Sequence, residues 1–159
     1  MKKRILAAVL LLALTLTALC SCFGSVAERG DVTVVIENRD GSYTEYKVYL
    51  EKVENKSEGA VGVLENLSKR EKNPLPLDMS NGPYGKFLNS IGDIAPDASE
   101  NEFISIYTSV EKDFGTFLGA EEIDYGGTLL KSAGVGMSSL TIESGTVILF
   151  RIEKYEIEY

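Results

Sequence analysis

The two cysteines, Cys20 and Cys22, are the residues whose type and spacing could do chemistry. Three chemistries are open to a C-x-C pair: a disulfide, metal binding and acylation. The pair follows a basic start, MKKR, and an apolar run from Ile5 to Leu19. That order is typical of a secretory signal, and the run is shorter than the about 20 residues that a membrane-spanning helix needs. A structural zinc site needs further Cys or His ligands, which the chain lacks.

The residues before Cys22 resemble the lipobox of bacterial lipoproteins, in which Leu at −3 and a small residue at −1 precede the modified Cys. Leu19 and Ser21 take these positions, whereas a frame on Cys20 places the bulky Leu19 at −1. The resemblance implies a signal peptide over residues 1–21, and a lipidated Cys22 with a short tether over residues 22–30. Because two acyl chains anchor a protein stably, we expect a palmitate-type anchor at the extracytoplasmic face of a bacterial cell membrane. The alternative is an ordinary signal cut before Cys20 that leaves two thiols.

The composition of the remaining chain disfavours several classes of function. The whole chain has a net charge of −8, and loss of the three basic leader residues makes it −11, so nucleic acid would be repelled. The absence of His excludes Ser-His-Asp and Cys-His catalysis. The acidic stretch from Gly92 to Glu102 lacks calcium-loop spacing, and we interpret it as a solvated loop. We therefore expect no catalytic residue, metal or cofactor, with a carboxylate-dependent glycosidase as the enzyme alternative.

Hydrophobic patterning predicts a hairpin and then a helix at the start of the domain. Alternating apolar residues on both sides of Asp40-Gly41 favour a β-hairpin, because Gly supplies the positive φ of the turn. From Ser57, a candidate N-cap, the three-residue spacing of Val61, Leu64 and Leu67 predicts an amphipathic helix. The prolines of NPLPL end it.

The rest of the chain carries strand signals. The candidate strands are GKFLNSIGDI, NEFISIYTSVEKD, TLLKSAG after a Gly-Gly turn, SSLTI, and TVILFRIEKYEIEY. A hairpin, one helix and several short strands predict an α+β domain over residues 31–159, with the helix packed on a mixed sheet.

The segments VTVVIEN, AVGVLENL, GPYGKFLNSIGDIAP and SLTIESGTVILFRI resemble, in this order, the transcobalamin C-terminal-like domain. The resemblance runs from Asp31 to Tyr155 and implies a β-grasp-like fold. This chain departs from the family in having no Trp, and it has Gly145-Thr146 where the family has Gly-Asp. In the cobalamin carriers the domain works with a larger helical domain that this chain lacks, so corrinoid binding is a secondary alternative.

Aromatic residues in loops and strands are the candidate binding residues, since tyrosine and phenylalanine supply contact area in binding surfaces. We predict a ligand-binding rim made of Tyr84, Phe87, Phe103, Tyr107 and Tyr125. The alternative is that Phe87 and either Phe103 or Tyr107 belong to the core. We expect a non-catalytic, membrane-anchored binding or adhesion module for a small molecule, glycan or protein partner. A component of a surface assembly that pairs through an exposed strand edge is the alternative.

Overall fold

The computed structural model describes residues 29–83 and 85–155, which form eight strands and one α-helix with short 3₁₀ turns between them. The elements are β1 (Asp31–Glu37), β2 (Tyr43–Tyr49), α1 (Ala60–Ser68), β3 (Leu77–Gly82), β4 (Gly85–Ile91), β5 (Glu102–Thr108), β6 (Glu122–Tyr125), β7 (Thr128–Ser132) and β8 (Val147–Lys154). The predicted signal peptide and Cys22 lie outside the described residues. Within these residues, no helix has the length and apolar character that crossing a membrane requires.

Six strands form one mixed sheet in the order β2-β1-β8-β5-β7-β6, and β3 and β4 form a separate two-stranded sheet. Strands β1 and β8 run parallel, and the other neighbours are antiparallel. The helix α1 packs on the large sheet through its buried face. The predicted α+β fold, with an N-terminal hairpin and one helix on a mixed sheet, is confirmed.

The first hairpin has the register that its alternating sequence predicts. Pairing runs from Asp31 opposite Tyr49 to Glu37 opposite Tyr43. Gly41 in the turn has φ +81°, a conformation that L-residues with side chains rarely adopt. Val32, Val34 and Ile36 point to the helix side and are buried, so one face of β1 forms the floor of the main core.

Helix α1 begins later than predicted, at Ala60, and its N-cap is Gly59 rather than Ser57. Ser57 lies within a separate 3₁₀ turn, Lys56–Glu58. Gly59 has φ +55°, and a Cβ there would lie 2.6 Å from the carbonyl oxygen of Leu140, so only glycine allows the two segments to approach this closely. The predicted apolar face is confirmed, because Val61, Leu64 and Leu67 are fully buried.

The segment SSLTI is not the strand that its sequence predicts. Its first residues complete a 3₁₀ turn, Met137–Ser139, and the remaining residues, Leu140 to Ile142, belong to no strand. Met137 and Leu140 are buried in the main core near α1. Burial of these two side chains beneath the helix takes the segment away from the sheet, which explains the difference.

The face of the large sheet opposite α1 has a small core of its own. Val35, Tyr107, Leu130 and Leu149 are fully buried there, with Ile123, Tyr125 and Val147 packed against them. The β6–β7 hairpin covers this face, because the hydroxyl of Tyr125 on β6 donates to the Glu45 carboxylate on β2. Since β2 and β6 are the two edges of the sheet, this contact shows that the sheet curls strongly.

Candidate functional site

An apolar groove of about 230 Å³ lies between the β3–β4 hairpin and strand β5. The groove lies where the two sheets meet. The apolar residues that line it are Pro83, Phe87, Leu88, Ile104, Ile106 and Met137. Among the residues that line it there is one charged side chain, Lys86, and no carboxylate. Concave, mostly apolar surfaces with few polar groups are typical of small-molecule sites.

Strand alternation explains how β5 contributes to this groove. Successive side chains of a strand point to opposite faces, so Ile104 and Ile106 share the helix side of the sheet. Both are partly buried and pack against the main core. The exposed part of each isoleucine side chain therefore lines the groove, beside the main core.

The β3–β4 hairpin forms the other wall. A bulge between Asp78 and Met79 shifts its register, so Leu88 pairs with Met79 and both pack toward the main core. Gly85 has φ +107°, and a Cβ there would lie 3.1 Å from Ser138 Oγ. The missing side chain allows the hairpin to lie against the Met137–Ser139 turn, which closes the groove on that side.

The structure does not bring the predicted rim residues into one surface. Phe87 lines the groove and is 62% exposed, so it is not a core residue. Phe103 alternates with Ile104 and lies on the opposite face of β5, where its ring contacts Tyr155 with centroids 6.3 Å apart. Tyr84 lies outside the described residues.

The two remaining rim residues belong to the small core on the helix-free face. Tyr107 is fully buried and cannot contact a ligand from solvent, as the core alternative for this position predicted. Tyr125 packs edge-to-face on Tyr43 at 5.2 Å and donates to Glu45. Burial, and then the hydrogen bond to Glu45, raise the pKa of Tyr125 to about 12.

A polar cluster surrounds the Tyr107 hydroxyl. This hydroxyl donates to the Glu153 carboxylate and lies 3.2 Å from Glu121 Oε2. Arg151 joins the same two carboxylates, with Nε 2.8 Å from Glu153 Oε1 and Nη2 3.1 Å from Glu121 Oε2. Burial first, and the Glu153 hydrogen bond second, raise the pKa of Tyr107. The cluster fastens β5, β8 and the segment before β6 together.

A second ion pair fastens the first hairpin to β5. Glu102 accepts from Arg39 Nη2 at 2.7 Å and from the Asp97 backbone N–H at 2.9 Å. Its side chain is only 6% exposed. The Arg39 hydrogen bond, then that of Asp97, lower the pKa of Glu102 to about 2. The lowered pKa keeps this carboxylate ionised near neutral pH, and the ion pair with Arg39 holds it in place.

A larger cavity, of about 620 Å³, lies between α1 and the edge strand β2. Its lining carries charges of both signs, five basic and three acidic, and includes the pair Lys69–Glu65 at 3.7 Å, in which the lysine is exposed and the glutamate is half-buried. Exposed ion pairs of this kind contribute little energy and stay hydrated. We therefore assign the candidate site to the smaller apolar groove, where binding removes apolar surface from water.

Across residues 29–83 and 85–155, no three Asp, Glu, His or Cys side chains are placed together so that they could hold a metal ion.

Comparisons with known proteins give matches only among solved structures. No family model matches the chain, and no curated protein matches it. A suggested metal binding protein from Ruminococcus gnavus ATCC 29149 is 15% identical, with a TM-score of 0.52 over 80% of this chain and 99% of that one. Haptocorrin in complex with Cbi is 13% identical, with a TM-score of 0.53 over 84% of this chain.

These likenesses show the fold. The chain spans 27% of the length of the haptocorrin chain. At 13% identity, the match to haptocorrin shows a shared fold, in agreement with the β-grasp-like fold that the resemblance to the transcobalamin C-terminal-like domain implies.

Proposed function

We propose that this chain is a non-catalytic binding module that takes a small, largely apolar ligand in the groove between the β3–β4 hairpin and β5. The observation that carries the proposal is the composition of the groove, whose walls are apolar apart from Lys86. We further propose that a lipid on Cys22 holds the module at the extracytoplasmic face of a bacterial cell membrane. The signal-peptide pattern before Cys22 supports that location.

The size of the groove limits the ligand. A cavity of about 150 Å³ accommodates benzene, so 230 Å³ accommodates one ring with a small substituent. Pockets for drug-sized ligands begin at about 300 Å³. A molecule as large as a corrinoid would place only an edge in this groove, and corrinoid binding is therefore not preferred.

The surroundings of the groove favour binding over catalysis. A carboxylate-dependent glycosidase needs two carboxyl groups about 5 to 10 Å apart across a cleft. No Asp or Glu is among the described residues that line the groove. The carboxylates Glu102, Glu121 and Glu153 are held in ion pairs elsewhere in the fold.

The alternative of a surface assembly through an open strand edge is weakened at β2. This strand is an edge of the six-stranded sheet. Arg70 Nη2 donates to the Lys47 carbonyl at 2.5 Å, and so occupies an acceptor that an added strand would need. Charged side chains on an edge strand are a usual protection against strand addition.

The binding proposal is tested with benzamide, a neutral ring with one small substituent, and the full-length chain purified from membranes. Ile104→Phe adds bulk to the groove wall, and we expect it to weaken benzamide binding about tenfold or more. Leu129→Phe is the matched control, because Leu129 is half-exposed on β7 and does not line the groove. Equal benzamide affinity in wild type and Ile104→Phe, with unchanged unfolding temperatures, would refute the proposed site.

The anchoring proposal is tested separately by intact mass. Protein from membrane fractions is compared among wild type, Cys22→Ser and Cys20→Ser. We expect only Cys22→Ser to lose the acyl mass and leave the membrane fraction. Wild-type protein without acyl mass would contradict the anchor while leaving the groove proposal in place.

A further inference from the structure

Lys86 is the one charged residue among the described residues that line the apolar groove. It lies on β4 opposite Asn81, two residues before the buried Leu88. Side chains two apart on a strand share a face, so Lys86 points to the same side as Leu88, toward the groove. Its side chain is half-buried.

The Lys86 ammonium has no acidic partner in the part of the chain that the structure describes. No carboxylate oxygen of residues 29–83 or 85–155 lies within 4.0 Å of it. Of the other eight described lysines, four have such partners, as in Lys131–Glu122 at 3.2 Å and Lys154–Glu100 at 3.0 Å, and four do not. A half-buried cation beside an apolar wall gains more from an anion than a fully hydrated one does, because water screens it less.

We propose that the ligand of this groove is a small amphipathic monoanion, with an apolar body against Ile104, Ile106 and Met137 and a carboxylate paired with Lys86. This inference rests on the proposed binding function and names the ligand class. One lysine among apolar walls neutralises one negative charge, so the match is to a single carboxylate. Lys86 is thus a specificity-determining residue of the groove.

The alternative is that Lys86 covers the apolar wall of the groove with its methylene groups and keeps its ammonium group in water, without binding an anion. The two interpretations differ in one observable, which is the preference of the groove for a charged over a neutral ligand of the same shape. Benzoate and benzamide are such a pair, since they share the ring and differ in the charge of one substituent.

The experiment measures the affinity of the full-length chain, purified from membranes, for benzoate and benzamide at pH 7 and low salt. Partly exposed ion pairs contribute up to about 1 kcal/mol, so we expect benzoate to bind up to about fivefold more tightly. Lys86→Met keeps an unbranched apolar side chain and removes the charge, and we expect it to abolish the preference of the groove for benzoate over benzamide. Lys112→Met is the control, because Lys112 is exposed and does not line the groove.

The outcomes separate this inference from the function on which it rests. If both probes bind wild type equally, or if the preference for benzoate survives in Lys86→Met, the inference is overturned and the groove remains a binding site for neutral ligands. If neither probe binds wild type, both the inference and the proposed groove fail. Salt of about 1 M should reduce the benzoate preference, because ions screen the pair.

Discussion

Replacing Tyr107 with Phe tests how the Tyr107 hydroxyl fastens β5 to β8. The Tyr107 ring is fully buried against Val35, Leu130 and Leu149, and Phe retains this packing. The substitution removes only the hydroxyl, which donates to the Glu153 carboxylate. The expected loss of stability is therefore that of one hydrogen bond to a charged group.

The magnitude follows from what remains around Glu153. Hydrogen bonds to charged groups contribute about 1.5 to 3 kcal/mol. Glu153 keeps Arg151 Nε at 2.8 Å, so it is not left unpaired. We expect the low end, about 1.5 kcal/mol, which corresponds to a decrease of roughly 5 °C in the unfolding temperature for a chain of this size.

The assay is urea unfolding followed by circular dichroism, with Tyr46→Phe as the matched control. Tyr46 packs against the main core, but its hydroxyl makes no hydrogen bond to another described residue. We expect the control to change the free energy of unfolding by less than about 0.5 kcal/mol. A Tyr107→Phe variant as stable as the control would refute the role assigned to the hydroxyl.

Three further predictions concern backbone packing and pH. Gly62→Ala should lower the free energy of unfolding by about 2 kcal/mol, because the added Cβ would lie 2.2 Å from the Asn55 carbonyl oxygen. This loss should exceed the gain from the higher helix propensity of Ala, and equal stability of the variant and wild type in urea would contradict the prediction. The lowered pKa of Glu102 means that its ionised form stabilises the fold above pH 4.5 and that this contribution is lost as the pH falls toward 2. Glu102→Gln should therefore be less stable than wild type at pH 7, with the difference in urea midpoint shrinking at pH 3; a constant difference would contradict it. Because the pKa of Tyr125 is raised, its neutral form stabilises the fold below pH 10, and this contribution is lost as the pH rises from 10 to 12. Tyr125→Phe should therefore remove one late-titrating tyrosine from the curve of tyrosinate absorbance against pH.

Local patterns predicted the elements whose sequence and surroundings agree. The β1–β2 hairpin follows from alternation and from Gly41, and the buried face of α1 follows from the spacing of Val61, Leu64 and Leu67. Strand β3, with sequence LDMSNG, was not predicted, because it is mostly exposed and carries little alternation. It forms because it pairs with β4, a contact that no local pattern records.

The candidate groove was beyond sequence reasoning for the same reason. Its walls come from β4, β5 and the turn at Met137, which meet only in the folded chain. Aromatic content pointed to Phe87 at the groove, but it pointed equally to Tyr107, which the curled sheet buries. Lys86 gave no sequence signal either, since its lack of an acidic partner among the described residues is visible only in the folded chain.

The most direct test of the account is to map backbone amide chemical shifts of the full-length chain during titration with benzamide. If benzamide binds in the groove, the largest shifts cluster at Lys86 to Leu88 on β4, at Ile104 to Ile106 on β5, and at Met137. Shifts concentrated in the charged cavity between α1 and β2, or no shifts at saturating benzamide, would contradict the assignment of the groove as the binding site.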